Sequence, residues 1–206
     1  MNLHSLLAAR VAAGKPVRVG LIGAGKFGSM FLAQVPSIKG LEVAVIGDLD
    51  PERAKAACKN VGWDVSRIAR TQFAASGRDA CLDERVEVVI EATGDPSAGI
   101  AHALEAIEAH KHIVMVNVEA DALAGALLAR KARAAGVIYS MAYGDQPALI
   151  AEMVDWARSA GFQIAAAGKG TKYLPEYHAS TPATVWPYYG LTEDAATGSL
   201  TIVLEV

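Results

Sequence analysis

Three glycines, Gly23, Gly25 and Gly28, stand directly behind the apolar run VRVGLI and at the head of KFGSMFLAQ, whose apolar residues recur at helical spacing. Few features restrict a fold more tightly. A strand that ends on Gly-x-Gly-x-x-Gly and feeds a helix must turn sharply, and the helix must pack close to the strand it has just left. In that geometry Gly23 permits the tight turn, Gly25 lets the backbone approach a pyrophosphate, and Gly28 lets helix and strand touch. The first turn of the helix offers free N–H groups and a partial positive charge to phosphates. The spacing alone is weak, but the next strand ends in GDLD and places Asp48 about 20 residues after Gly28, where a carboxylate accepts hydrogen bonds from the hydroxyls of an adenosine ribose. The expectation is a dinucleotide-binding turn made by Gly23, Ala24, Gly25, Lys26, Phe27 and Gly28. The competing reading is a bare strand-to-helix turn, with Asp48 capping the next element. The choice of cofactor stays open: Asp48 repels a 2′-phosphate and favours NAD, whereas Arg53, one turn into the following helix, would pair with that phosphate in NADP.

The rest of the chain repeats the theme. Strand candidates VRVGLI, EVAVIGD, VEVVIEA, HIVMVNV, VIYSM and FQIAA alternate with Ala-rich segments of helical period that begin near Lys26, Pro51, Pro96, Ala120 and Gln146. This alternation predicts an α/β fold with a doubly wound parallel sheet. Pro51 and Pro96 fit the first turn of a helix, and Asp50 and Asp95 before them fit N-caps. Residues 62–84 are less regular, with RIARTQ a candidate short strand. At about Gly168 the composition shifts from Ala and Val to Tyr, Pro, Thr and Trp, which divides the chain into a nucleotide-binding domain over 1–167 and a connector, the start of a second domain, over 168–206.

Composition narrows the partners. The chain has 206 residues, 52% of them hydrophobic, and a formal charge of −3, so it can bury a sizeable core and has no general field for nucleic acid or an anionic membrane. The basic run ARKARA reads as a solvated helix face. Cys58 and Cys81 lack metal-type spacing and read as buried thiols of a reducing compartment. MNLHSLLAARVAAGKPV fits a short amphipathic helix rather than a leader, and no apolar run approaches the ~20 residues of a membrane span. A cytoplasmic protein acting on a small molecule is the expectation.

Ligands of an open α/β sheet sit outside the carboxyl ends of the strands. That rule selects EATGDP, NVEAD and YGDQPA. Thr93 and Gly94 suit a close backbone pass beneath a ribose, and Asn117 and Glu119 would lie near a nicotinamide. Glu119 reads either as a helix-start acid or as a ligand, and Asp145 as a helix cap. His102, His110 and His112 read as surface or packing residues, and no metal site is expected. AGKGTKYLPEYH, from Ala167, is too polar for a core. Either Lys169 and Lys172 bind an anionic substrate or polarise a carbonyl beside the transferred hydride, with Tyr173, Tyr177 and His178 as donors or proton carriers, or the segment is a solvated connector.

Taken together, VRVGLIGAGKFGSMFLAQVPSI, VVIEATGDPSAGIAHALEAI, HIVMVNVEADALAG, YSMAYGDQPALIAEMVDWARSAGF and AAAGKGTKYLPEYHASTPATVWPYYGLT resemble the homoserine-dehydrogenase-like NAD(P)-dependent oxidoreductases. Within that group they resemble the branch that includes 1-deoxy-D-xylulose 5-phosphate reductoisomerase-like enzymes. The resemblance implies a Rossmann domain followed by a catalytic and dimerisation domain, NADPH as the usual reductant, Lys169 and Lys172 at the active site, and a homo-oligomer in the intact enzyme; Glu119 joins the catalytic candidates on its strand-end position alone. Such chains continue past residue 206, so the expectation is a fragment holding only the start of the second domain. A non-catalytic dinucleotide-binding module is the alternative.

Overall fold

The computed structural model describes residues 3–143 and 146–168, with isolated positions at 179, 181 and 184. In chain order the elements are α1 (Leu3–Ala12), β1 (Val17–Ile22), α2 (Lys26–Gln34), a 3₁₀ turn (Val35–Ser37), β2 (Leu41–Gly47), α3 (Pro51–Asn60), α4 (Val65–Arg70), β3 (Gln72–Ala74), α5 (Gly77–Leu82), β4 (Val88–Glu91), α6 (Pro96–Glu108), β5 (His112–Met115), α7 (Val118–Ala134), β6 (Tyr139–Met141) and α8 (Gln146–Ser159). The chain falls into two units, residues 1–148 and 149–206.

In the first unit six parallel strands run in the order β3-β2-β1-β4-β5-β6. The order reverses at β1, the first strand to form a pair on each side, so a crevice opens between the carboxyl ends of β1 and β4. Alternate strand residues serve opposite faces. Leu21, Ile46 and Ile90 pack with Leu32, Ala54, Cys58 and Trp63 from α2, α3 and the turn after α3. Ile22, Val89 and Ile113 pack on the other face with Ala80, Ala103, Ile107 and Leu128 from α5, α6 and α7. The register slips by one residue at Ala44, a bulge in β2 opposite Val19 and Gly20. Both faces are covered, as the near-continuous apolar strands require. The doubly wound α/β reading holds.

The caps follow the sequence. Asp50 and Asp95 each accept a hydrogen bond from the first turn of the helix they open, from the Arg53 and Ala98 N–H respectively. Two strand assignments need correction. RIARTQ is mostly helix, because the Asp64 carboxylate caps α4 by accepting from the Arg67 N–H, and only Gln72–Ala74 reaches the sheet. FQIAA is not a strand: Gly161 turns the chain out of α8 at φ 87, and Phe162 lies against Trp156 with ring centroids 6.4 Å apart. Among the described residues FQIAA takes no part in a sheet, and the strand that brings the sheet to six is β3, at one edge.

Candidate functional site

A cleft of about 420 Å³ opens at the carboxyl ends of β1, β2 and β4, with Gly23, Gly25, Asp48, Arg53, Thr93 and Gly94 in its wall. The glycine turn reveals its own logic. Gly23 sits at φ 91, and a Cβ there would stand 2.8 Å from the Ala92 carbonyl oxygen, so both the left-handed conformation and the packing exclude a side chain. Gly28 is excluded by packing alone, because a Cβ would fall 2.3 Å from the Gly23 carbonyl oxygen. Gly25 differs. Its φ is −69, and a Cβ there would meet nothing within 4 Å. The fold demands two of the three glycines; the third leaves open space at the N-cap of α2. Lys26 and Phe27 are exposed in the first turn of that helix, while Ala24 is buried behind it.

Asp48 is engaged more fully than the sequence suggests. Its side chain is 3% exposed. Oδ2 accepts from the Ala24 N–H at 2.8 Å, tying β2 to the glycine turn, and Oδ1 accepts from the Asp50 N–H at 2.9 Å and from the Arg53 guanidinium at 2.7 Å. Burial pushes this carboxyl up, but the Arg53 hydrogen bond, the two backbone N–H groups and the Arg53 charge outweigh it and hold the group below the ordinary aspartate range. Arg53 in turn is held above its ordinary value by the same carboxylate. Its side chain stays 60% exposed at the cleft wall. Both residues sit where the spacing places them, yet the carboxylate is spent on protein donors and the guanidinium is the group left facing outward.

The other wall is built around a residue the sequence reading passed over. Glu91, the last residue of β4, is fully buried. Its Oε1 accepts from the Thr93 hydroxyl, from the Thr93 N–H at 3.3 Å and lies 3.3 Å from His102 Nδ1. Among the described residues no donor reaches its Oε2. His102 lines the cleft beside Gly77, where a Cβ would collide with the imidazole at 2.5 Å. The signal was the acid in VIEATG, a charged residue at the end of an otherwise apolar strand; its partner lies 11 positions away on another element. Ser76 and Gly77 went unseen because they open α5 in the irregular region 62–84.

Asn117 is buried and caps α7, its Oδ1 accepting from the Ala120 N–H at 3.0 Å. Its Nδ2 donates to the Asp95 carbonyl at 2.8 Å, so the residue braces the loop carrying Thr93 and Gly94 rather than presenting a free amide. Glu119 is half-buried in the first turn of α7. Lys169, Lys172 and Asp145 lie outside the described residues. Among the described residues no three His, Cys, Asp or Glu side chains converge as a metal site, and no helix is long and apolar enough to cross a membrane. Cys58 and Cys81 are buried free thiols, pushed up to about 11 and about 12 by burial, and so are unreactive at neutral pH.

Residues 17–117 match the oxidoreductase family with an NAD-binding Rossmann fold, and residues 144–202 match the catalytic domain of oxidoreductase DRL. Three solved structures share the fold. An NAD-binding oxidoreductase from Klebsiella pneumoniae is 20% identical with a TM-score of 0.53, over 71% of this chain and 39% of its own. The WlbA dehydrogenase from Bordetella pertussis, solved with NADH and UDP-GlcNAcA, is 21% identical with a TM-score of 0.53, over 71% of this chain and 44% of its own. A homoserine dehydrogenase from Thiobacillus denitrificans is 21% identical with a TM-score of 0.50, over 62% of this chain and 29% of its own. The chain thus spans less than half the length of these structures, and at such identities the likeness is one of fold. No curated protein matches the chain. Residues 17–117 thus share the Rossmann fold and are similar to the NAD-binding domain of that oxidoreductase family.

Proposed function

We propose that this chain supplies the dinucleotide-binding half of an NAD(P)-dependent oxidoreductase acting on a small phosphorylated or carboxylated carbonyl compound. The observation that carries the reading is Gly25. Its backbone is ordinary and its surroundings are empty, so the fold has no use for a glycine there, whereas a pyrophosphate laid against the N-terminus of α2 has. When bound, the nicotinamide supplies or accepts the hydride. The protein's own part is to hold, orient and polarise. The free N–H groups of the first turn of α2 would meet the phosphates, Thr93 and Gly94 would form the floor beneath the nicotinamide ribose, and Asn117 would keep that floor in place. Lys169 and Lys172 would stabilise the negative charge that develops on the carbonyl oxygen, with Glu119 near the reacting carbon.

The preferred cofactor in this reading is NADP. Asp48 is committed to Ala24, Asp50 and Arg53, and the exposed Arg53 face would pair with a 2′-phosphate. One candidate reaction is a reductive isomerisation of the 1-deoxy-D-xylulose 5-phosphate type, which rests on the resemblance carried by the VNVEAD, GDQPAL and GKGTKY stretches; the match of 144–202 to the catalytic domain of oxidoreductase DRL supports oxidoreductase chemistry.

Calorimetric titration of the chain with NADPH and NADH tests the cofactor. The expected result is saturable binding that favours NADPH, weakened by about 100-fold or more in Gly25→Leu with thermal stability unchanged. Equal affinity of the glycine and leucine forms would remove the basis for the reading. NADPH oxidation with 1-deoxy-D-xylulose 5-phosphate by the intact enzyme, and its loss in Lys169→Ala and Lys172→Ala, tests the reaction.

A further inference from the structure

At the opposite end of the strands, where β1 and β2 begin, a second cavity of about 280 Å³ is lined by Arg18, Arg67, Arg70 and Arg85 together with Glu42 and Thr71. Arg18 and Gly23 are five strand residues apart, so this cavity lies roughly 16 Å from the glycine turn. Four guanidiniums around one small volume is unusual in a chain whose formal charge is −3. Like charges gathered this way repel unless something of opposite sign lies among them.

The protein's own carboxylates answer only part of that charge. Arg18 faces Glu42 at 3.4 Å, and Arg85 is paired with Asp83 at 2.6 Å and donates to the Gln72 amide oxygen at 2.9 Å. Arg67 and Arg70 have no carboxylate within ion-pair distance among the described residues. Asp64, which caps α4 through the Arg67 N–H, feels the Arg67 charge without touching its guanidinium. Instead the two side chains are held by other means: Arg67 lies over the Trp63 ring at 5.6 Å, and Arg70 donates to the Ser66 hydroxyl at 3.4 Å. A stacked or tethered guanidinium has already lost much of its rotamer freedom, so less is lost when it binds. Its planar fork matches the oxygens of a phosphate.

We propose that this cavity is a binding site for a phosphate-bearing small molecule, separate from the dinucleotide crevice and read chiefly by Arg67 and Arg70. The volume suits a compact ligand rather than an extended acidic peptide. Arg18 and Arg85, already balanced by Glu42 and Asp83, would frame the ligand, and the two unbalanced arginines on α4 would meet its charge.

Calorimetry on the 206-residue chain at fixed ionic strength, with inorganic pyrophosphate and ribose 5-phosphate as separate probes, tests this. The expected result is saturable binding that Arg67→Gln with Arg70→Gln weakens by about 10-fold or more, that Gly25→Leu leaves in place, and that is accompanied by unchanged NADPH affinity in the arginine variant. Arg70→Gln alone, which keeps the Trp63 stack, should still weaken binding by several-fold, about 3 to 10, and guards against a folding defect in the double variant. Tighter binding of ribose 5-phosphate would mark an organic phosphate, and tighter binding of pyrophosphate an inorganic one. Absence of saturable binding, indifference to the arginine substitutions, loss of binding in Gly25→Leu, or stronger binding of a polyglutamate peptide would overturn the proposal.

Discussion

Two buried acids stand at the ends of β2 and β4, the strands on either side of β1 in the same crevice, and they are treated in opposite ways. Asp48, after β2, has both oxygens occupied by protein donors, one of them the backbone of the glycine turn. Glu91, closing β4, crowds its contacts onto Oε1 and leaves Oε2 without a donor among the described residues. A carboxylate whose hydrogen bonds are complete works as a bracket: it fixes the turn and aims Arg53. A carboxylate with an oxygen to spare, in a dry setting, holds unspent hydrogen-bonding capacity beside Thr93 and His102.

Substitution should separate the two. The largest effect is expected for Asp48→Ala, which strands the buried Ala24 N–H and frees Arg53; a loss of about 2–4 kcal/mol is expected in urea unfolding. Asp48→Asn is next, because an amide NH₂ would face the Ala24 N–H it should accept from, at about 1–3 kcal/mol near neutral pH. Its pH dependence sharpens the point. The folded-state pKa of Asp48 lies below the unfolded one, so the carboxylate's contribution is present above about pH 4 and is lost as the pH falls through the folded value. The stability gap between the natural chain and Asp48→Asn should therefore narrow as the pH falls below about 4 and through the folded value; a constant gap would deny Asp48 its bracket role. Glu91→Gln should cost less than about 1 kcal/mol, since it exchanges one unmatched atom for another while keeping the acceptor that serves Thr93 and His102. A cost equal to that of Asp48→Asn would erase the contrast between the acids. Smallest of all should be the effect of Arg53→Ala on stability, because its side chain is largely exposed and solvent screens its ion pair, although its NADPH-to-NADH affinity ratio should fall by about 10-fold.

What could be read beforehand follows from how local each signal is. Strand, turn and helix around Gly23 write their periods and glycines into one contiguous stretch, and Asp48 stands a fixed distance downstream, so fold and half of the crevice were legible. Asp48's donors were not, because no sequence rule says that a ribose acid will turn inward to Ala24. α4, β3 and α5 are six, three and six residues long, too short to show a period, and with them Ser76 and Gly77 escaped notice. FQIAA misled because alternation records only what a strand would look like, not whether a neighbour exists to bond it. Glu91 and His102 meet only after β4 and α6 are packed.

The central place of β1 also has a consequence for synthesis. Its two neighbours are β2 and β4, and the residues that close its second edge, Val88 to Glu91, leave the ribosome about seventy residues after Ile22. At roughly 5–20 residues per second, that is a wait on the order of ten seconds. Throughout it VRVGLI presents one unpaired, apolar edge to its surroundings, the kind of surface that recruits chaperones or seeds misassembly. The strand that later anchors the crevice is thus the segment of the nascent chain most exposed to error, and translational pausing before Val88 would lengthen that exposure.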